Sequence, residues 1–406
     1  MSEGWQSRLS LLRSADFRRL WLTSAVAEAV RAIEILMTSI FVYRLTGEAF
    51  DVVLINFVRA APLIFVGPTV GVLASRFDRR WLLLGQLIVL FATSIVLAVL
   101  ATTGTIAVWH IAVGGFLGGT FFAADFALRR TMLADVAGQT RVATAIGLDL
   151  ATRSLTRMLG PISGGILFDT IGLDGGYVVG VALYGLCLWW VWNLEGSFAA
   201  IARTTAGFFS DLREGIRFIR GHQVVSAILI VTVIMNLTVF SHQTLVPVVG
   251  ESILGLSATA IGLLASAEGL GAAIGSVLVA MTAPPAWYRR LFLFGAILAT
   301  GAVTGFALSD SPVLSFVFLF LAGLGIACYA TMQSTLSLTA PPPEMKTRVM
   351  GTLSVCIGFS PLGILYLGQF AAHLSPDVAI LASAAQGLVA LGLVLLFFPA
   401  LRRAER

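Results

Sequence analysis

The sequence predicts an all-α integral membrane protein of twelve spans, and three observations predict it. Apolar runs of twenty or more residues recur along the whole length, each able to cross a hydrocarbon core about 30 Å thick. Only 12% of the residues are charged, about half the share of a soluble domain, and mean hydropathy is +0.93. The runs fall at about 20–43, 51–74, 81–102, 106–128, 142–168, 176–194, 223–248, 258–281, 291–308, 312–338, 349–372 and 377–400. An even number puts both termini on one face. Of the 26 Lys and Arg, 21 lie on that face, four lie inside runs and one, Arg44, lies opposite. Positive charge stays inside, so both termini are expected in the cytoplasm. The net charge of +5 is thereby a topology signal, and no nucleic-acid partner is expected.

The four arginines before the first run, Arg8, Arg13, Arg18 and Arg19, precede a span too long for a cleavable signal, so none is expected. Cys187, Cys328 and Cys356 sit singly in apolar runs and read as small buried hydrophobes, without metal or disulfide spacing. No nucleophile–base pair points to an enzyme.

Span one carries Glu28, Arg31 and Glu34 three apart, so the arginine lies between two acids on one side of a helix. Each unpaired central charge costs about 2.5–3.5 kcal/mol. Ion pairs that staple neighbouring helices would answer that cost. Two acids to one base leave one acid to find a partner elsewhere, which favours a functional cavity. Span two holds Arg59 in its outer half. Span four repeats small residues at Gly114, Gly115, Gly118 and Gly119, a pattern for close helix approach, and ends at Asp125 with Arg129 and Arg130.

Span five places Asp149, Arg153 and Arg157 four apart on one helical face, followed by Gly160-Pro161 and Gly164-Gly165. Charges stacked along an apolar helix predict a partner or a water-filled cavity. Residues 195–222 break the apolar pattern, and within them Phe208, Leu212, Ile216 and Ile219 mark an interfacial amphipathic helix. The domains expected are therefore residues 1–194, a linker at 195–222, and residues 223–406.

The second half repeats the first. Arg79-Arg80-Trp81-Leu82-Leu83-Leu84-Gly85 recurs 210 residues later as Arg289-Arg290-Leu291-Phe292-Leu293-Phe294-Gly295. Its spans hold a single central ionisable group besides histidine, Glu268. Asn236 and His242 in span seven are candidate substrate contacts.

Gly71, Leu73, Ala74, Arg76, Arg79 and Arg80 resemble the signature between spans two and three of the major facilitator superfamily. Its usual aspartate is Ser75 here, with an acid three residues later at Asp78. Gly160-Pro161-x-x-Gly164-Gly165 resembles the antiporter signature of that superfamily's drug–proton exchangers. The phrases SADFRRLWL and LREGIRFIR are similar to its twelve-span macrolide, multidrug and siderophore exporters. The resemblance implies the major facilitator fold of two six-helix bundles, normally a monomer in the bacterial cytoplasmic membrane. It also implies alternating access powered by a proton gradient, without a bound cofactor.

The site expected on that basis has three parts. Glu268, Glu34, Glu28 and Asp149 are the proton-coupling candidates. Arg31, Arg59, Arg153, Arg157, Asn236 and His242 would bind small organic substrates, anionic ones included. Gly71, Arg76, Asp78, Arg79, Asp125, Gly160, Pro161 and Gly164 would gate. Lipid flipping and uptake are the alternatives on the same fold. A non-transporting scaffold is opposed by the expense of eight central charges.

Overall fold

A computed structural model describes residues 10–64, 77–138, 141–196, 198 and 221–399. The predicted gating residues Gly71 and Arg76, and the predicted amphipathic helix of the linker, lie outside them. The described residues are helical, with no strand among them. Contacts divide the chain into two compact units, Met1–Val42 with Val58–Thr204 and Tyr43–Phe57 with Thr205–Arg406. Tyr43–Phe57, which joins the first two helices, thus belongs to the second unit.

The first unit begins with a 3-10 turn, Ser10–Arg13, and α1, Ala15–Thr46. It continues with the end of α2, Ala49–Ala60, then α3, Arg79–Thr102, and α4, Val108–Ala137. Asp78 caps α3 by accepting the Arg80 backbone N–H at 2.8 Å, satisfying an otherwise orphaned donor. Next comes α5, Val142–Trp192, an apolar helical stretch broken at Gly172. There φ is 71°, a left-handed conformation that glycine adopts without strain. At about 1.5 Å per residue the stretch is far longer than one bilayer crossing, and Gly172 is where it turns back. Gly160 and Gly164 face α1: a Cβ at Gly160 would stand 2.5 Å from Ala32 Cβ, and one at Gly164 3.1 Å from the Ile33 carbonyl oxygen. The glycine-proline signature therefore lets α5 lie directly on α1.

In the second unit, α6, Gln223–Ile234, runs into a π turn, Met235–Val239, and a 3-10 turn, Phe240–Thr244, before the short α7, Val246–Ser252. Then follow α8, Ala258–Thr282, α9, Tyr288–Ala307, and α10, Pro312–Thr339. The last three are α11, Lys346–Ile357, α12, Ser360–Ala371, and α13, Pro376–Phe397. Helix α10 is gripped from both sides: a Cβ at Gly325 would lie 2.5 Å from the Ala299 nitrogen of α9, and one at Gly275 of α8 would lie 2.8 Å from Ala327. At the unit's outer rim Arg44 holds Glu251 in a two-pronged ion pair of 2.8 and 3.2 Å. Eight stretches among the described residues are long and apolar enough to cross a membrane.

Candidate transport sites

The first unit gathers its charges into two places. Along α1 and α5 runs an alternating chain of acid and base. Asp149, 1% exposed, accepts the Ser24 hydroxyl at 2.7 Å and the Arg153 Nε at 3.1 Å. Arg153 reaches across to Glu28 at 2.5 Å. The other Glu28 oxygen accepts from Arg31 at 3.2 Å, and the Arg31 guanidinium lies over the Phe122 ring, 3.8 Å from its centroid. Two carboxylates and two guanidiniums thus neutralise one another. Such pairing at close range is what permits ionised groups away from water. The spacing of four brought Asp149 and Arg153 together as read, whereas Arg157, one turn further, is exposed.

Glu34 turns away from this chain. It lines a small cavity of about 20 Å³, room for about one water, together with Arg59, Thr93, Ser94, Tyr177 and Tyr184. Arg59 donates to the Thr38 hydroxyl at 3.3 Å, while its buried Nε has no hydrogen-bond partner. Arg59 reaches this depth because α4 presents glycine to it: a Cβ on Gly119 would overlap the Arg59 carbonyl oxygen, and one on Gly115 would sit 3.4 Å from its Nε. The glycine doublets of span four are thus a seat for Arg59.

At the other end of these helices, Asp125 pairs with Arg129 one turn later on α4. Arg79 pairs with Asp135 at 2.7 Å and donates through Nε to the Phe198 carbonyl at 3.3 Å.

In the second unit polar groups gather around Glu268. His242 Nε2 lies 3.1 Å from Glu268 Oε2, and the Gln243 amide donates to Oε1 at 2.5 Å. Asn236 is buried and donates to the Thr232 carbonyl at 2.9 Å, within its own helix. Sequence reading passed over a neighbouring cluster, in which Gln333 donates to the Thr232 hydroxyl at 2.7 Å and the Tyr329 hydroxyl at 2.6 Å. A glutamine inside an apolar run was the one available signal.

Long apolar helices in two units, with charged side chains assembled in their interiors, define a multi-pass membrane transporter. A family model described as transmembrane secretion effector matches residues 6–406, so the chain belongs to that family of major facilitator transporters and is not an enzyme. It is 25% identical over 403 residues to the enterobactin exporter EntS of Shigella boydii serotype 18, covering 97% of this chain and 94% of that one. It is 22% identical over 371 residues to macrolide efflux protein A of Streptococcus pyogenes, covering 87% and 89%. Among solved structures the fold matches the nucleoside transporter NupG with a TM-score of 0.75 at 12% identity, covering 94% of this chain and 100% of that one. It also matches a bacterial homologue of the human lysosomal transporter Spinster at 0.71 and 16% identity, covering 96% of each.

Proposed function

We propose that the protein exports a small organic molecule from the bacterial cytoplasm in exchange for protons. It crosses the inner membrane twelve times as a monomer, with both termini inside. Alternation of basic loops along the sequence supports that topology. The observation that carries the coupling is the contrast between neutralised and exchangeable charge. Asp149, Arg153, Glu28 and Arg31 satisfy one another, whereas Glu34 shares a water-sized cavity with Arg59, and Glu268 sits against an imidazole. Acids so placed can change protonation without dismantling an ion-pair chain.

Arg59, with an orphan guanidinium N–H, and Arg31, held over an aromatic face, are the groups that would meet an anionic portion of the substrate. The relatives named for enterobactin and macrolides make a siderophore-like or macrolide-like amphiphile the substrate class of choice. The signature at Gly160 and Pro161 gates by letting α5 bear directly on α1.

Purified protein in proteoliposomes with an imposed pH gradient and an internal pH dye provides the test. With enterobactin and a macrolide as probes, substrate-dependent proton movement is expected, and it should be lost in Glu268→Gln and Glu34→Gln. Substrate movement without proton flux would make this a facilitator and end the antiport reading.

A further inference from the structure

Among the described residues of the first unit, Asp149, Arg153, Glu28 and Arg31 touch one another, two acids against two bases. Glu34 and Arg59 are not in ion-pair contact, although they share the cavity of about 20 Å³. Opposite charges held apart away from water gain less from each other than they would in contact. A gap kept at that cost calls for an occupant.

Helix α5 supplies the walls to hold one. Tyr177, Gly180 and Tyr184 fall on one face of it, three and four residues apart. Gly180 lets the acid in: a Cβ there would stand 3.6 Å from Glu34 Oε1 and 3.8 Å from Ser94 Oγ. The Glu34 carboxyl therefore meets α5 between the two tyrosines. Both line the cavity and are only 3% and 4% exposed. Their rings pack in apolar clusters, Tyr177 with Met37 and Leu97, Tyr184 with Leu83 and Leu87. Among the described residues neither hydroxyl makes a hydrogen bond, although a buried phenol ordinarily finds a partner. Arg59 adds further donors. It gives one N–H to the Thr38 hydroxyl at 3.3 Å and leaves Nε without a partner. The cavity thus gathers O–H and N–H donors around the space of one water or one monatomic ion.

Charge fixes what that occupant can be. Arg59 and Arg31 are the bases that act on Glu34, and Arg31 is already paired with Glu28 at 3.2 Å. Arg59 is left to be balanced by one negative charge. Either the Glu34 carboxylate supplies it, or Glu34 takes a proton and an external anion supplies it. Both at once would set two negative charges against one away from water.

We propose that Arg59, Tyr177 and Tyr184 form a binding site for a single monatomic anion such as chloride, which enters together with a proton on Glu34. This rests on the reading above for one point, that Glu34 exchanges its proton. Elsewhere on the five helices around the cavity, Asp125 is held by Arg129, and His110 accepts the Ala107 N–H. Cys187 donates to the Thr23 carbonyl, and Asp174 is exposed beyond the turn at Gly172.

The test adds chloride to purified protein in weakly buffered sodium gluconate, whose anion is too large for the cavity. A pH indicator dye should report uptake approaching one proton per protein. The unfolding midpoint should rise with chloride. Above the pH at which Glu34 ionises, the chloride required should grow about tenfold for each unit of pH. Glu34→Gln should keep the chloride response and lose both the proton uptake and the pH dependence. Tyr177→Phe and Tyr184→Phe retain the packed rings, and each should weaken chloride by about tenfold. Proton uptake no greater with chloride than with more gluconate would overturn the site and leave the cavity to water. A response that survives in the double phenylalanine variant would overturn it too, marking an adventitious ion only. Proteoliposome transport separates this site from antiport. Chloride-linked uptake without proton-driven transport keeps the site and defeats antiport, whereas proton-driven transport without chloride-linked uptake keeps antiport and defeats the site.

Discussion

The two units solve one packing problem identically and one charge problem differently. In each, a glycine lies against the backbone carbonyl of an ionisable residue, Gly119 against the half-buried Arg59 and Gly323 against the buried Glu268. The members of these pairs are separated by nearly the same 210 residues as the repeated Arg-Arg loop phrase. The scaffold is thus duplicated down to the seat of the charged side chain, while the charge in that seat has changed sign. Apart from Arg59 and Glu34, the first unit carries a neutralising chain of four further groups. In the second unit Glu268 faces a histidine and an amide.

The largest effect should come from breaking what the units share. Gly119→Val and Gly323→Val each put a methine carbon where a carbonyl oxygen already stands, a conflict of backbone with backbone that no rotamer relieves. Both variants should fail to yield monodisperse protein in size-exclusion chromatography. A folded Gly323→Val protein would show that the second unit does not depend on the same seat.

The next effect sharpens the contrast in charge. Arg153→Met leaves Asp149 and Glu28 without their shared cation, and removal of one partner from a buried pair costs about 3–5 kcal/mol. The thermal unfolding midpoint should drop sharply and recover in part when Asp149→Asn is added. Glu268→Gln in the second unit keeps a donor for His242 and an acceptor for Gln243, so its midpoint should move by the equivalent of less than about 1 kcal/mol. If the two midpoints fell equally, the division into structural and exchangeable charge would fail.

The smallest effect lies at the edge of the first unit. Asp78→Ala removes the cap of α3 and should lower stability by about 1 kcal/mol, measured as a small shift of the same midpoint. A collapse of transport without that shift would instead assign Asp78 to the gate.

How much of this was legible in the sequence depends on whether an interaction stays within one helix. Asp149 with Arg153, and Glu28 with Arg31, were readable because spacings of four and three fix neighbours on a helix. The same rule placed Glu34 beside Arg31 and could not show that its side chain turns to the cavity of Arg59, a choice made by α4 and by Tyr177 and Tyr184. Nothing in Met-Asn-Leu-Thr-Val-Phe-Ser-His-Gln-Thr announces a π turn followed by a 3-10 turn, so the contact of His242 with Glu268 could not be read from it. That irregularity is what aims His242 and Gln243 at one carboxyl group. The glycine doublets of span four were recognised as permitting close approach, but sequence has no means of naming the arginine that approaches.

The end of the first unit has a consequence for how the protein is made. The Asp16 carboxylate accepts the backbone N–H groups of Glu195 and Gly196, and Phe198, 1% exposed, fills the core formed by Leu11, Phe17 and Leu20. The unit is therefore closed by its last residues against its first. A nascent chain leaving the ribosome cannot complete this bundle when its final membrane helix enters the translocon; it must wait until Phe198 has emerged. A gene divided for co-expression of two halves should accordingly be cut beyond Phe198, since a fragment ending at Leu194 would enter the bilayer without its stopper.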